Sequence, residues 1–138
     1  MRLHIAPNRQ ISEIQKDFNK SFPFLKLEFF NNTHYSSAGF SVNEMISRSK
    51  KIGDTQLEIT DGYIEINDGL KVNELERIFK DQFSLAVQVF RKSGNIWLET
   101  TVTDNWTLSQ QNNHGRELST DSKVVNVEDY DLNRDANR

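Results

Sequence analysis

Apolar and polar residues alternate along several short stretches of this chain, which is the pattern of strands with one buried face. Leu3 and Ile5 alternate with polar neighbours and predict a strand over residues 2–6. A second strand is predicted over residues 24–30 by the same alternation. One face of this second strand would carry Leu25, Leu27 and Phe29, and the other would carry Phe24, Lys26, Glu28 and Phe30.

Elsewhere the apolar residues recur at the three- and four-residue spacing of amphipathic helices. This spacing predicts two main helices, over residues 12–20 and 72–82. Two shorter helices are predicted over residues 42–49 and 107–114, and Gly115 is expected to end the second of them.

A first β-hairpin is predicted where Asp61 and Gly62 separate two strand-like stretches. An Asp-Gly pair in this position is typical of a two-residue type I′ turn. The turn would place Ile59 opposite Ile64, with both side chains on the buried face of the sheet.

A second β-hairpin is predicted around Ser93 and Gly94, which follow one apolar stretch and precede another. In this hairpin Phe90 would lie opposite Trp97. Both side chains would then point to the face of the sheet that the helices leave open.

The order of these elements predicts an α+β fold, in which an antiparallel sheet carries two main helices on one face. The topology resembles a ferredoxin-like sandwich with extra strands. Residues 1–113 are expected to form a single domain. Residues 114–138 are expected to form a polar, acidic, disordered tail, because residues 117–138 contain six acidic and three basic residues and few apolar ones.

Composition narrows the functional classes. The 138-residue chain has no cysteine, so thiolate nucleophiles and cysteine-based metal sites are excluded. Its start has no apolar segment typical of a signal peptide, which predicts a cytoplasmic protein. The net charge of −3 and the absence of a long apolar stretch favour neither a nucleic-acid partner nor a membrane.

The candidate functional feature is the cluster of aromatic residues on the open face of the predicted sheet. A homodimer is the favoured hypothesis, because a one-sided antiparallel sheet normally has a polar open face. Its apolar anchors would be Phe30, Phe90 and Trp97, and Gln88 and Glu99 would set the register. Coverage by the insert after the second strand or by the C-terminal segment, contact with another protein and a ligand groove stay open as alternatives.

Two further hypotheses involve other residues. A sensor for a small ligand would bind beside the turn that holds Asp104 and Trp106. An enzyme would use Glu58, Glu65 or His114, although no catalytic, phosphate-binding or metal motif accompanies them. The sequence therefore predicts no cofactor and no metal.

Overall fold

The computed structural model describes residues 1–31, 44–56 and 58–120. The strands are β1 (Arg2–Ile5), β2 (Leu25–Phe30), β3 (Gly62–Glu65), β4 (Ala86–Ser93) and β5 (Ile96–Glu99). The helices are α1 (Ile11–Ser21), α2 (Val72–Phe83) and α3 (Leu108–Thr120), with a 3₁₀ turn at Ile52–Asp54.

The described strands form two antiparallel sheets. β1 pairs with β3 in one sheet, and the other has the order β2-β4-β5. This confirms the α+β class. A ferredoxin-like sandwich is not confirmed, because the strands are divided between two sheets.

One hydrophobic core joins both sheets and all three helices. β1 and β3 contribute Leu3, Ile5 and Ile64, and the strands of the larger sheet contribute Leu25, Leu27, Phe29, Val87 and Val89. The edge of the Phe29 ring packs on Phe79 of α2, with 5.8 Å between the ring centroids. The alternation read from β2 therefore identified its core-facing side correctly.

The predicted hairpin at Asp61 and Gly62 is wrong. Gly62 begins β3, which pairs with β1, so Ile64 lies opposite Leu3. Residues 58–60 form no strand, and residue 57 lies outside the described residues. Gly62 packs closely against Phe83, since a Cβ atom at position 62 would lie 3.1 Å from Cζ of that ring.

The second hairpin exists, but its turn lies one residue later than predicted. Its central residues are Gly94, which has a φ of 63°, and Asn95. Phe90 therefore lies opposite Glu99 and Trp97 opposite Lys92. The shift moves every cross-strand pair by two positions, so Phe90 and Trp97 keep a common face as diagonal neighbours.

Gly115 does not end the last helix. α3 continues through it to Thr120, because the missing side chain lets the helix approach β2 and β4. A Cβ atom at Gly115 would lie 2.9 Å from Cβ of Phe24 and 3.1 Å from Cγ of Arg91. Residues 114–120 are thus helical. The rest of the predicted tail, residues 121–138, lies outside the described residues.

The predicted short helix at residues 42–49 is not formed over residues 45–49; residue 44 has a 3₁₀ conformation. Residues 42 and 43 lie outside the described residues, and Met45 instead makes a β-bridge with Phe30. The Ile46 N–H donates to the Phe29 carbonyl at 2.7 Å. This segment therefore extends the outer edge of β2.

Side-chain amides from α1 complete the same edge of β2. Nδ2 of Asn19 donates to the Leu25 carbonyl at 2.9 Å, and Nε2 of the buried Gln15 donates to the Leu27 carbonyl at 2.6 Å. The two residues are four apart and so lie on one side of the helix. They satisfy backbone acceptors that would otherwise need another strand.

Candidate functional site

The open face is the side of the larger sheet that points away from the main core. It carries Lys26, Glu28, Phe30, Ala86, Gln88, Phe90, Lys92, Trp97 and Glu99. Tyr63 does not belong to this face: it lies on β3 in the other sheet, where its ring stacks on His4.

One end of the open face is already covered within the chain. Phe30 and Ala86 are buried and pack with Met45 and Phe90 in a second, small apolar cluster. Gln88, a candidate register residue, is also buried and lies opposite Glu28 rather than Glu99. Part of the predicted interface is therefore internal, as the alternative of coverage by the insert expected.

At the other end of the face Trp97 stays partly exposed. Nζ of Lys26 lies 5.1 Å from the centroid of the Trp97 ring, and Nζ of Lys92 lies 6.0 Å from it. Lys26 belongs to β2, two strands away, and neighbouring strands are about 4.8 Å apart. Trp97 also lines a cavity together with residues of α1, so its side chain faces the β2 side of the sheet.

A chain of polar contacts links this end of the face to α1. Lys26 forms an ion pair with the buried carboxylate of Glu28 at 3.0 Å. Nε2 of Gln15 donates to the other carboxylate oxygen at 3.1 Å. Oε1 of Gln15 in turn accepts a hydrogen bond from Nε of Arg48 at 2.8 Å.

These residues line a cavity of about 250 Å³, here called the Trp97 cleft. Its lining consists of Gln15, Lys16, Asn19, Lys26, Glu28, Arg48 and Trp97. Three of these side chains are cationic and one is anionic, so the cleft is locally basic in a chain whose net charge is −3.

The outer edge of β5 is open within the described residues. Ser93 and Ile96 flank the two-residue turn, so alternate residues of β5 bond to β4. Trp97 and Glu99 consequently direct their N–H and C=O groups away from β4, and no described residue bonds to them. The neighbouring Ile96 is exposed at this edge.

The turn with Asp104 and Trp106 supports α2. The Asp104 carbonyl accepts from the Asn73 N–H at 2.8 Å, and the Trp106 carbonyl accepts from the Val72 N–H at 3.0 Å. Trp106 also packs edge-on against His114 and lines a shallow cavity of about 300 Å³ with α3. The structure thus places Asp104 and Trp106 together, on elements other than those of the Trp97 cleft.

Glu76 of α2 takes the place of a strand partner for β4. Its Oε2 accepts a hydrogen bond from the Val89 N–H at 3.1 Å, beyond the end of β5. The pKa of Glu76 is raised to about 7: burial is the largest cause, the hydrogen bond from Val89 lowers the pKa, and the nearby charge of Asp104 raises it. This carboxyl therefore changes charge near neutral pH.

The residues of the enzyme hypothesis lie apart from one another. Glu65 lies opposite Arg2 and forms an exposed ion pair with it at 3.2 Å, whereas Glu58 lines a cavity beside the end of α2. His114 lies 3.6 Å from Glu117 on the same helix. The expected pairing of Glu58 with Glu65 across a hairpin is wrong, because β3 pairs with β1.

Sequence reasoning missed most residues of the Trp97 cleft. It identified Trp97 and placed Lys26 and Glu28 on the open face, but it did not connect them with α1. Gln15 and Asn19 offer one signal, since two buried or half-buried amides four apart on a helix must find partners. Lys16 and Arg48 look like ordinary surface residues in the sequence.

Comparison with protein-family models, curated proteins and solved structures finds no match to this chain. Among the described residues, no helix is both long enough and apolar enough to cross a membrane.

Proposed function

We propose that this chain is a non-enzymatic cytoplasmic domain that acts through protein contacts, and that it forms a homodimer through the edge of β5 and the exposed end of the open face. The observation that carries the proposal is the unpaired edge at Trp97 and Glu99. Unprotected strand edges are templates for pairing with another chain.

β5 lacks two residue types that protect many edge strands, although it is short and carries the charged Glu99. Its residues Ile96, Trp97, Leu98 and Glu99 include neither a proline nor a lysine. Apolar side chains lie on both faces of the edge, with exposed Ile96 on one and partly exposed Trp97 on the other. A partner strand would therefore bury apolar surface on both sides of the extended sheet.

A two-fold pairing of β5 with itself uses these groups symmetrically. Centred on Leu98, it places Trp97 of one copy opposite Glu99 of the second copy and forms about four backbone hydrogen bonds. Such a contact buries less surface than a standard interface, which buries about 1,600 Å² in total. We therefore expect a dissociation constant on the order of micromolar.

Sedimentation of the full chain at increasing concentration tests this proposal. The unmodified chain should shift from monomer to dimer, and Trp97→Glu should remain a monomer with native circular dichroism, because the new charge would be buried without a partner. Tyr63→Glu is the matched control, since Tyr63 is an exposed aromatic on the other sheet. It should dimerise normally.

A second variant tests the edge itself. The Glu99 N–H points away from β4, so Glu99→Pro removes no bond of the β4–β5 ladder but blocks a partner strand. This variant should also be monomeric. The proposal would be refuted if the unmodified chain sedimented as a monomer at every concentration. It would also be refuted if Trp97→Glu unfolded the chain while Glu99→Pro still formed dimers.

A further inference from the structure

We propose that the Trp97 cleft binds a small aromatic anion, with the ring of the ligand against Trp97 and its phosphate or carboxylate group held by Lys16 and Arg48. The cavity of about 250 Å³ is slightly smaller than common sites for drug-sized ligands. It therefore suits a molecule with a single ring and one anionic group. The proposal goes beyond dimerisation and does not depend on it.

The charge balance of the cleft selects an anion. Both oxygens of Glu28, the one carboxylate in the lining, are already bonded, to Lys26 at 3.0 Å and to Gln15 at 3.1 Å. Among the described residues, no carboxylate forms an ion pair with Lys16 or Arg48. Lys16 and Arg48 both line the cleft, so an anion bound there is attracted by two positive charges.

A hydrogen bond fixes the orientation of the Arg48 side chain in the cleft. Its Nε donates to Oε1 of Gln15 at 2.8 Å, and Gln15 is itself buried and fixed to the Leu27 carbonyl. No described residue accepts a hydrogen bond from the terminal nitrogens of Arg48. A guanidinium oriented through one nitrogen can still offer a planar pair of donors to a phosphate or carboxylate.

Trp97 supplies a flat apolar wall to the same cleft. The indole lies on the open face and stays partly exposed. A ligand ring that stacks against the indole gains more binding free energy than the burial of its surface alone provides. The reason is that aromatic rings in an offset arrangement attract each other. A simple inorganic anion cannot use this wall. The site should therefore prefer an aromatic anion to either of its parts.

Nuclear magnetic resonance of the ¹⁵N-labelled full chain tests the site with phenyl phosphate and benzoate as probes. The chain has two tryptophans, Trp97 and Trp106, so the Trp106→Phe variant assigns the indole signals. Phenyl phosphate or benzoate should shift the Trp97 indole and the Gln15 side-chain amide, but not the Trp106 indole. Inorganic phosphate alone and phenol alone should bind at least about tenfold more weakly. The probe that binds more tightly shows whether the site prefers a phosphate or a carboxylate.

Lys16→Gln and Arg48→Gln should each weaken probe binding about tenfold, the loss of one charge-assisted contact. Lys20→Gln is the matched control, because Lys20 is exposed on α1 and does not line the cleft. It should bind the probe normally. All three variants should sediment like the unmodified chain, which separates this proposal from dimerisation. An unmoved Trp97 indole with both probes, or equal binding by Lys16→Gln and Lys20→Gln, would overturn it.

Discussion

Glu76 makes the stability of this protein depend on pH. Its pKa lies at about 7 in the folded chain and near its ordinary value of 4.5 in the unfolded chain, because burial penalises the charged form. Between these two values the folded state binds more protons than the unfolded state. The stabilisation is therefore complete below pH 4.5 and is lost as the pH rises through about 7.

Replacement of Glu76 by glutamine should remove this dependence. The amide oxygen can still accept from the Val89 N–H, but it carries no buried charge. We expect Glu76→Gln to be more stable than the unmodified chain by about 3 kcal/mol at pH 8 and nearly equal to it at pH 4.5. Urea denaturation at both pH values measures the difference.

The control for this variant is Asp81→Asn, which removes a carboxylate from an exposed position of the same helix. It should keep the pH dependence of the unmodified chain. Equal stability of the unmodified chain at the two pH values would show that Glu76 titrates normally.

Three glycines of this chain lie at positions that favour glycine for different physical reasons. Gly94 has a positive φ, as expected in a tight hairpin turn. Gly62 and Gly115 instead leave space, for Phe83 and for Phe24 respectively. The sequence analysis interpreted all three glycines as turns or helix ends. A local pattern does not show whether a glycine is present for its backbone conformation or for the space that a side chain would occupy.

At the scale of elements, the end of α2 has a residue that is not ideal for its conformation. Ser84 has a φ of 55°, while its N–H donates to the Lys80 carbonyl and the Leu85 N–H donates to the Phe79 carbonyl. This is the left-handed end of a helix at which glycine is preferred, because a side chain there is strained.

Ser84→Gly should therefore stabilise the protein by about 0.5–1 kcal/mol. Ser109→Gly is the matched control, because Ser109 lies within α3, where glycine should cost about 0.5–1 kcal/mol. Thermal unfolding of both variants should give shifts of opposite sign. A decrease in stability with both would contradict the assignment of left-handed strain at Ser84.

The outer edges of the larger sheet differ in a way that bears on function. The edge of β2 is completed by Gln15, Asn19 and the segment around Met45. The edge of β5 has no such partner among the described residues. Contact with a second copy is consequently proposed for β5 alone.

At the scale of the whole molecule, the second half of α3 belongs to the folded unit. Gly115 packs against Phe24 and Arg91, and Oγ of Ser119 accepts a hydrogen bond from the Gly94 N–H at 3.2 Å. A chain truncated after residue 113 loses both contacts, whereas one truncated after residue 120 retains them.

We expect the chain that ends at residue 113 to melt at least about 5 °C below the chain that ends at residue 120. This corresponds to the loss of more than about 1 kcal/mol in a domain of this size. Calorimetry of the two truncated chains measures the difference. Equal melting temperatures would support the predicted domain boundary at residue 113.

Local patterns in the sequence were enough to locate several elements. The alternation in β2 and the helical spacing in α1 and α2 placed those elements within a few residues of their bounds. The alternation also identified the core-facing side chains of β2, such as Leu27. These predictions hold because burial of one face imposes its own period on the residues of an element.

The contacts between distant elements became known only from the folded chain. β3 pairs with β1 rather than with its neighbour in sequence, and Met45 covers Phe30. The Trp97 cleft combines Lys16 and Arg48 with a tryptophan from a distant strand. A local pattern specifies that a face is buried, but the partner is chosen by the total burial and hydrogen bonding of the whole chain.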